Sequence, residues 1–274
     1  MPRRLKAGFI SLVVLALLLT GCGKEQAKTV GDTKGITGPT IEKIQKRGKL
    51  FVGAKHDVPK FGFEDEATGK VEGYEIDLIR IITKAILGDE TKYETVHVTP
   101  ATRLELLNQG AVDMIAATFT ITEDRKKQVD FTAPYFTDGI GLLVPKSSGI
   151  QDLKDLNGKT IGFLKGSTTV NALTEAAKGL GIKFQTAEFE TYPGTKAALQ
   201  AQQVQAMSSD GAILAGYADA ELILLPVRYN PQPYGIATKK GSDDLQKLVE
   251  TVIADLEKSG ELQKLQSKWG IATK

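Results

Sequence analysis

A short stretch near the middle of the chain combines residue types that can hold a carboxylate. The largely apolar run 112–117 predicts a short buried strand. Thr118 and Thr120 follow it with hydroxyl groups, and Arg125 adds a guanidinium. Thr120 and Glu123 match the T-x-x-E capping box, which predicts that a helix begins here with free backbone N–H groups. The stretch is therefore either an anion site at a strand end or an ordinary surface turn with a helix cap.

The sequence lacks the motifs that would indicate a cofactor, a metal or common catalytic chemistry. Residues 158–160 (GKT) resemble the end of a phosphate-binding loop, but Leu153 stands where that motif requires glycine. His56 and His97 are the only histidines and Cys22 is the only cysteine, which leaves little for a zinc site or a histidine-dependent triad. The small net charge of +2 gives no reason to expect nucleic-acid binding. Catalysis by carboxylates alone stays open, with the candidates Asp130, Glu188, Glu190 and Asp210.

The first 40 residues predict a lipoprotein. Residues 1–21 have the features of a signal peptide, with a basic start and a 13-residue apolar run at 7–19. This run is shorter than the roughly 20 residues that a transmembrane helix needs. Residues 19–22 (LTGC) resemble the lipobox of bacterial lipoprotein precursors, so we expect Cys22 to carry a lipid. Residues 22–40 then form a flexible tether. The body is expected outside the cytoplasm, anchored to a membrane at the cell surface or in the periplasm.

Predicted strands and helices alternate through two halves of the remaining chain. This alternation is typical of an α/β protein with parallel sheets. Residues 142–145 and 234–237 are the predicted crossing points between the halves, which assigns 41–143 plus 237–274 to the first lobe and 144–236 to the second. Two crossings imply a hinge and a cleft that closes on a ligand.

Three segments resemble the polar-amino-acid substrate-binding proteins of bacterial ABC transporters, known as solute-binding protein family 3. They are residues 73–78 (GYEIDL), 120–127 (TITEDRKK) and 129–131 (VDF), and the similarity extends over 41–271. In detail it looks closest to members that bind aspartate, glutamate or glutamine. The resemblance implies a two-lobe periplasmic-binding-protein fold of type II, with two crossing strands as the hinge. It also implies a monomeric receptor, without enzymatic activity or cofactor, that delivers one free amino acid to a membrane permease.

The resemblance assigns the α-groups of a bound amino acid to opposite lobes. By position, Arg125 matches the arginine that holds the α-carboxylate, and Thr118 and Thr120 assist it. Asp210 matches the carboxylate that binds the α-ammonium. The donors at the start of a second-lobe helix match Ser167, Thr168 and Thr169.

The resemblance also implies which residues surround the ligand's side chain. Lys55 and Arg103 match the cations that hold a side-chain carboxylate in members with acidic ligands. The remaining contacts are an aromatic wall of Phe61 and Phe119, with additional polar contacts from Tyr192 and Tyr234.

Charge balance among these residues predicts the class of ligand. Lys55, Arg103 and Arg125 against Asp210 give the site a net charge of +2. Glutamate or aspartate carries two carboxylates and one ammonium, and so pairs every member. Glutamine is the alternative if Lys55 and Arg103 instead point to solvent. The sequence therefore predicts a lipid-anchored receptor for an acidic amino acid. An enzyme such as a dehydratase on the same scaffold is a further alternative.

Overall fold

The computed structural model describes residues 33–271 of the 274-residue chain. These residues form two α/β lobes and a small separate sheet. The helices are α1 Pro39–Arg47, α2 Tyr74–Leu87, α3 Arg103–Gln109, α4 Glu123–Lys126, α5 Thr169–Leu180, α6 Tyr192–Gln200, α7 Gly211–Ala215, α8 Asp243–Lys258 and α9 Glu261–Lys268. The strands are β1 Leu50–Ala54, β2 Asp57–Val58, β3 Gly62–Glu64, β4 Val71–Glu72, β5 Tyr93–His97, β6 Met114–Ala116, β7 Val129–Phe131, β8 Phe136–Pro145, β9 Thr160–Leu164, β10 Gln185–Phe189, β11 Ala206–Asp210, β12 Leu222–Leu224, β13 Tyr229–Tyr234 and β14 Ala237–Lys239. The predicted signal peptide and Cys22 lie outside the described residues.

The first lobe is built on a five-stranded sheet in the order β5-β1-β6-β14-β7. β1 runs parallel to β5 and β6, whereas β14 runs antiparallel to β6 and β7. The chain therefore returns to this lobe after it has built the second one. Parallel strands end at the same edge of a sheet, where α/β proteins place their ligands. That edge carries Lys55 after β1 and Thr118 after β6.

The second lobe has a sheet in the order β10-β9-β11-β8-β12, and β13 also pairs with β8. β9 runs parallel to β10 and β11, and β8 runs antiparallel to β11, β12 and β13. Ser167 follows β9, Tyr192 follows β10 and Asp210 ends β11. The same geometric rule therefore collects these three residues at one edge of the second sheet.

Two chain segments join the lobes, one before β8 and one after β13. β8 is paired inside the second sheet along its whole length, and residues 142–145 of the predicted crossing contact β11 and β12 there. The first crossing therefore lies before Phe136, and residues 136–143 belong to the second sheet rather than to the first lobe. The second crossing lies between Tyr234, the last residue of β13, and Ala237, the first residue of β14.

Helix α1 begins inside the stretch predicted as a tether. Pro39 is its first residue, so the last two positions of the predicted tether 22–40 are helical. The carboxylate of Asp244 accepts hydrogen bonds of 2.9 Å from the backbone N–H groups of Thr40 and Ile41. This cap satisfies helix-end donors that would otherwise lack partners. Within the described part of the chain, no helix is both long and apolar enough to cross a membrane.

Helix α2 packs against the first sheet and carries two buried carboxylates. Its apolar residues, such as Leu78 and Ile82, are fully buried in the core. Glu75 and Asp77, in its first turn, are buried as well, with exposures of 0% and 7%. Carboxylates are rarely buried to this degree without partners. Both positions therefore have a specific role in the structure.

Candidate functional site

Polar side chains from both lobes meet in one cavity between the two sheets. The lining residues from the first lobe are Pro100, Arg103, Thr118, Thr120 and Arg125. Those from the second lobe are Ser167, Thr168, Thr169, Tyr192, Ser209 and Asp210. The cavity thus brings together nine of the predicted site residues and adds Pro100 and Ser209.

The segment from Thr118 to Ile121, here called the binding arm, runs alongside the second crossing segment. The N–H of Ile121 donates to the carbonyl of Pro233 at 2.8 Å, and Thr120 forms an isolated antiparallel bridge with Tyr234. Because Thr120 pairs with Tyr234 in this bridge, it does not cap a helix. Helix α4 instead begins at Glu123 with Thr122 as its N-cap, so the predicted T-x-x-E capping box is wrong. Tertiary pairing has overridden the local capping signal.

Arg125 lies where the two lobes meet. Its guanidinium donates to the carbonyl of Thr120 at 2.8 Å in its own lobe and to the carbonyl of Gly166 at 3.2 Å in the other. Burial lowers the pKa of Arg125 to about 10, against the opposing charge of Asp210. The group therefore stays charged at neutral pH and faces the cavity as an anion partner.

Arg103 is a buried cation whose hydrogen-bond donors are only partly paired. The residue is 3% exposed, and its guanidinium lies 3.7 Å above the ring of Phe119. One terminal nitrogen donates to the carbonyl of Ala117 at 3.0 Å, whereas Nε has no hydrogen-bond partner among residues 33–271. Burial lowers the pKa of Arg103 well below its usual value, and the charge of Arg125 adds to this effect. A hydrogen-bond acceptor supplied by a ligand would pair the free Nε and would also offset the cost of burying the charge.

The second lobe presents one carboxylate and several hydroxyls. Burial raises the pKa of Asp210 to about 7, while a hydrogen bond donated by the hydroxyl of Tyr234 opposes that rise. Tyr234 does not line the cavity itself, so its role there is to hold Asp210. The hydroxyl of Tyr192 lies 3.0 Å from that of Ser209. Ser167 has a buried hydroxyl without a partner among the described residues, and it is therefore available to a ligand.

Lys55 is neither in solvent nor on the cavity wall. It is 1% exposed, its ammonium lies 2.9 Å from the carboxylate of Asp57, and it donates to the carbonyl of Val98 at 3.1 Å. Burial opposes ionisation of Asp57, but the His97 ring, whose Nε2 lies 3.6 Å away, and the charge of Lys55 hold its pKa at about 2. Burial lowers the pKa of Lys55, and the charge of Asp57 opposes that shift. Asp57 therefore supplies Lys55 with the carboxylate partner that a ligand was predicted to bring.

The two predicted aromatic residues lie behind the cavity rather than on its wall. Phe119 is fully buried beneath the guanidinium groups of Arg103 and Arg125, at 3.7 and 4.9 Å from its ring centre. Phe61 packs edge-on against Phe136 and Tyr234 in an aromatic cluster at the hinge. Phe119 therefore supports the two arginines of the site, and Phe61 supports the hinge.

Besides Pro100 and Ser209 on the cavity wall, sequence reasoning missed Glu75 and Asp57 behind it. Glu75 is fully buried and accepts a hydrogen bond of 2.6 Å from the N–H of Thr118. Its position inside the motif at 73–78 was a usable signal, since an acid amid apolar residues in a helix calls for a buried partner. The signal for Asp57 was its position two residues after Lys55, at the same strand end.

The lobes touch each other directly around the cavity. Besides the bond from Arg125 to Gly166, the hydroxyl of Tyr217 donates to the backbone carbonyl of Asp57. Gly166 has a φ of 76°, and a Cβ at this position would lie 3.1 Å from backbone atoms of Pro100 and Ala101. A residue without a side chain is therefore needed where the second lobe closes against the first.

Two lobes that contribute polar groups to a shared cleft, joined by two crossing segments, define a hinged solute receptor of type II. The family model described as bacterial extracellular solute-binding proteins, family 3, matches residues 50–272. The chain belongs to this family, which confirms the predicted family and fold and identifies an extracytoplasmic solute-binding protein. In the described part of the chain no group of histidine, cysteine and acidic residues is placed to hold a metal ion.

Similar proteins share nearly the whole body of the chain. The glutamine-binding protein of Geobacillus stearothermophilus is 42% identical over 245 residues, covering 85% of this chain and 92% of the relative. The ABC transporter glutamine-binding protein GlnH of Bacillus subtilis (strain 168) is 35% identical over 272 residues, covering 98% and 97%. Among solved structures, the P235GK mutant of ArgBP from T. maritima is 30% identical with a TM-score of 0.76, covering 85% of this chain and 100% of that one.

Substitution of Gly166→Ala should favour a more open arrangement of the lobes. The added Cβ would meet the backbone of Pro100 and Ala101 only in the closed form. At saturating glutamine, the ligand named for both relatives above, small-angle X-ray scattering of the variant should give a larger radius of gyration than that of the unsubstituted protein.

Gly158→Ala is the matched control for this experiment. Gly158 lies in the same lobe with a φ of 72°, and a Cβ there would have nothing within 4 Å. It shares the backbone strain of about 1 kcal/mol but not the clash with the other lobe. Identical scattering by the two variants would contradict the role given to Gly166.

Proposed function

We propose that this protein is a monomeric receptor that captures glutamine in its cleft and delivers it to an ABC permease. The observation that carries the proposal is the ion pair between Lys55 and Asp57. The predicted preference for an acidic amino acid depended on two free cations, Lys55 and Arg103. With Lys55 already paired, the site has one fewer cation to offer a side-chain carboxylate.

The α-groups of an amino acid match the charges on the two sides of the cavity. Arg125 with Thr118 and Thr120 offers donors to an α-carboxylate, and Asp210 faces them from the other lobe with a carboxylate for the α-ammonium. Ser167 adds a hydroxyl that lacks a partner within the described chain. A zwitterion that spans the cleft therefore forms contacts with both lobes, which become available together only on closure.

A carboxamide side chain suits the remaining donor. The oxygen of a primary amide can accept from the unpaired Nε of Arg103, and its NH₂ group can donate to a nearby hydroxyl or carbonyl. The glutamine-binding relatives from Geobacillus stearothermophilus and Bacillus subtilis support the same ligand.

Glutamate or aspartate is the second candidate, and one observation favours it. Arg103 is a buried guanidinium that has no carboxylate within ion-pair distance among residues 33–271, so a ligand carboxylate would find a partner there. Glutamine and an acidic amino acid differ by one charge, so titration of the protein with each amino acid distinguishes the two candidate functions.

Calorimetric titration should show that glutamine binds more tightly than glutamate, aspartate or arginine. At a glutamine concentration about 100 times the dissociation constant, the folded protein should gain about 2.7 kcal/mol against unfolding, visible as a higher Tm.

Arg125→Ala should abolish binding of every amino acid, because it removes the α-carboxylate partner and leaves that charge unpaired in the cleft. Lys127→Ala, an exposed neighbour, is the control and should bind as the unsubstituted protein does. Tighter binding of glutamate would replace glutamine by the second candidate, and no binding of any amino acid would refute the proposal.

Glutamine affinity should fall as the pH drops from 8 to 5.5. Burial raises the pKa of Asp210 to about 7 in the ligand-free protein, so the carboxylate that pairs with the α-ammonium is lost below this pH. The loss approaches tenfold per pH unit. Tyr234→Phe removes a hydrogen bond that lowers this pKa, so the midpoint should move to higher pH.

Tyr229→Phe tests whether the effect of Tyr234→Phe is specific. Tyr229 lies in the same strand, but its hydroxyl contacts the N–H of Leu153 at 3.3 Å, away from Asp210. This variant should leave the midpoint unchanged. A pH-independent affinity in the unsubstituted protein would contradict the role assigned to Asp210.

We further propose that Cys22 carries a lipid that holds the receptor at the membrane beside its permease. Cys22→Ser in the full-length chain should move the protein from the membrane fraction to the soluble fraction, with glutamine binding unchanged. Fractionation followed by immunoblotting measures this, and retention of the variant in the membrane fraction would rule out the anchor.

A further inference from the structure

We propose that Glu75 is a specificity-determining residue of the amino-acid site: it holds the binding arm through Thr118, and its charge disfavours acidic ligands. The inference deepens the proposed glutamine function and rests on it. Glu75 does not line the cavity, so its effect is exerted through Thr118 and through the electrostatics of the neighbouring cations.

The contacts of Glu75 connect the binding arm to the hinge. One carboxylate oxygen, Oε1, accepts from the N–H of Thr118 at 2.6 Å and from the hydroxyl of Tyr135, in the first crossing segment. The other oxygen, Oε2, is buried and has no hydrogen-bond partner among the described residues. A carboxylate that is buried at 0% exposure with one oxygen unsatisfied is costly, so its charge has another use.

Thr118 needs the support that Glu75 gives it. Its φ is 44°, in the left-handed region that a β-branched residue rarely adopts. Such a conformation persists only where the surroundings hold it. The bond to Glu75 holds one end of the binding arm, and the pairing of Thr120 with Tyr234 holds the other. Together they fix the hydroxyls that face the ligand.

The negative charge of Glu75 also completes the balance of charges around the cleft. Burial raises the pKa of Glu75 to about 7, opposed by the bonds from Tyr135 and Thr118 and by the charges of Lys55 and Arg103. With Asp57 assigned to Lys55 and Asp210 to the ligand's ammonium, Glu75 is the remaining anion, and its charge acts on Arg103 from beyond ion-pair distance. A ligand without net charge preserves this balance, whereas glutamate adds one negative charge to it. Removing the charge of Glu75 should therefore weaken the preference for glutamine over glutamate.

The variant Glu75→Gln tests this directly. It keeps an oxygen that can accept from Thr118 and removes only the charge. At pH 8 we expect the ratio of the glutamate to the glutamine dissociation constant to fall by about tenfold. Asp77→Asn is the matched control: Asp77 is also buried on α2, but it binds Lys268 at 2.6 Å and Trp269 at 2.7 Å, and it does not line the cavity. It should leave the ratio unchanged.

The pH dependence of the same ratio gives a second readout. As the pH falls from 8 to 6, Glu75 gains a proton and the ratio should fall in the unsubstituted protein but stay flat in Glu75→Gln. Protonation of Asp210 cancels from the ratio because both ligands present the same α-ammonium.

Several other ionisable groups surround Glu75. Those that face it are Lys55 after β1, Arg103 from α3, Tyr74 from α2 and Tyr135 from the hinge, and His56 and His97 lie beyond Asp57. Glu75→Gln retains all of these, so any pH dependence that it keeps belongs to them.

A ligand-independent measurement separates this inference from the proposed function. The N–H of Thr118 donates to Glu75, so its NMR chemical shift should titrate near pH 7 in the ligand-free protein and lose this titration in Glu75→Gln. If the unsubstituted protein binds no glutamine, the proposed function fails while this test still decides whether Glu75 holds Thr118. An unchanged Thr118 titration in the variant would overturn that positioning role.

The ratio of dissociation constants measured in Glu75→Gln can contradict the proposal, and Tyr135→Phe can replace that variant. An unchanged ratio in a folded Glu75→Gln protein would overturn the specificity role. If that variant does not fold, Tyr135→Phe replaces it, because it keeps the carboxylate and removes a hydrogen bond that lowers its pKa. The pH midpoint of the ratio should then move upward, and an unmoved midpoint would equally overturn the proposal.

Discussion

Three cations are buried in or beside the cleft, and a buried cation is unfavourable unless an acceptor is close to it. Lys55 is paired with Asp57, and Arg125 has two carbonyl acceptors and the charge of Asp210 nearby. Arg103 has one carbonyl and an unpaired Nε. Closing the lobes removes water from these groups, so closure is stable only when the acceptors are in place. The ligand is one of those acceptors, which makes its charge part of the stability of the closed form.

The hinge is bonded to a buried carboxylate in each lobe. The N–H of Tyr135, in the first crossing segment, donates to the carbonyl of Tyr234, in the second, at 3.0 Å. The hydroxyl of Tyr135 donates to Glu75, and that of Tyr234 donates to Asp210. A ligand ammonium that approaches Asp210 therefore competes with a hydroxyl of the hinge. Glu75 extends the same connection through Thr118 to the side that faces the α-carboxylate.

The fold was predictable from the alternation of strands and helices, and most of the cleft residues were expected from the resemblance to the solute-binding family. Polar residues at the ends of parallel strands converge on one edge, whatever the rest of the sequence does. Three features were not predictable, since each depends on pairing between distant segments. Residues 142–145 were predicted as the first crossing and 136–143 were placed in the first lobe, because an apolar pattern does not say which sheet a strand joins; all of them pair in the second sheet. Thr120 matched a helix cap, but its partner is Tyr234. Lys55 was expected to meet a ligand carboxylate, but Asp57 supplies one.

Under the proposed function, discrimination between glutamine and glutamate depends on the closed form rather than on the first encounter with the open cleft. The contacts from Arg125 to Gly166 and from Tyr217 to Asp57 favour closure whatever the ligand is. A ligand shifts the population of the closed form only by its differential affinity for the two states. In the open form an extra carboxylate is solvated and adds little, whereas in the closed form it would be desolvated beside Arg103, with the charge of Glu75 behind the cavity wall. Two ligands of similar size can therefore be told apart by one negative charge, according to whether the closed cleft offers that charge a partner.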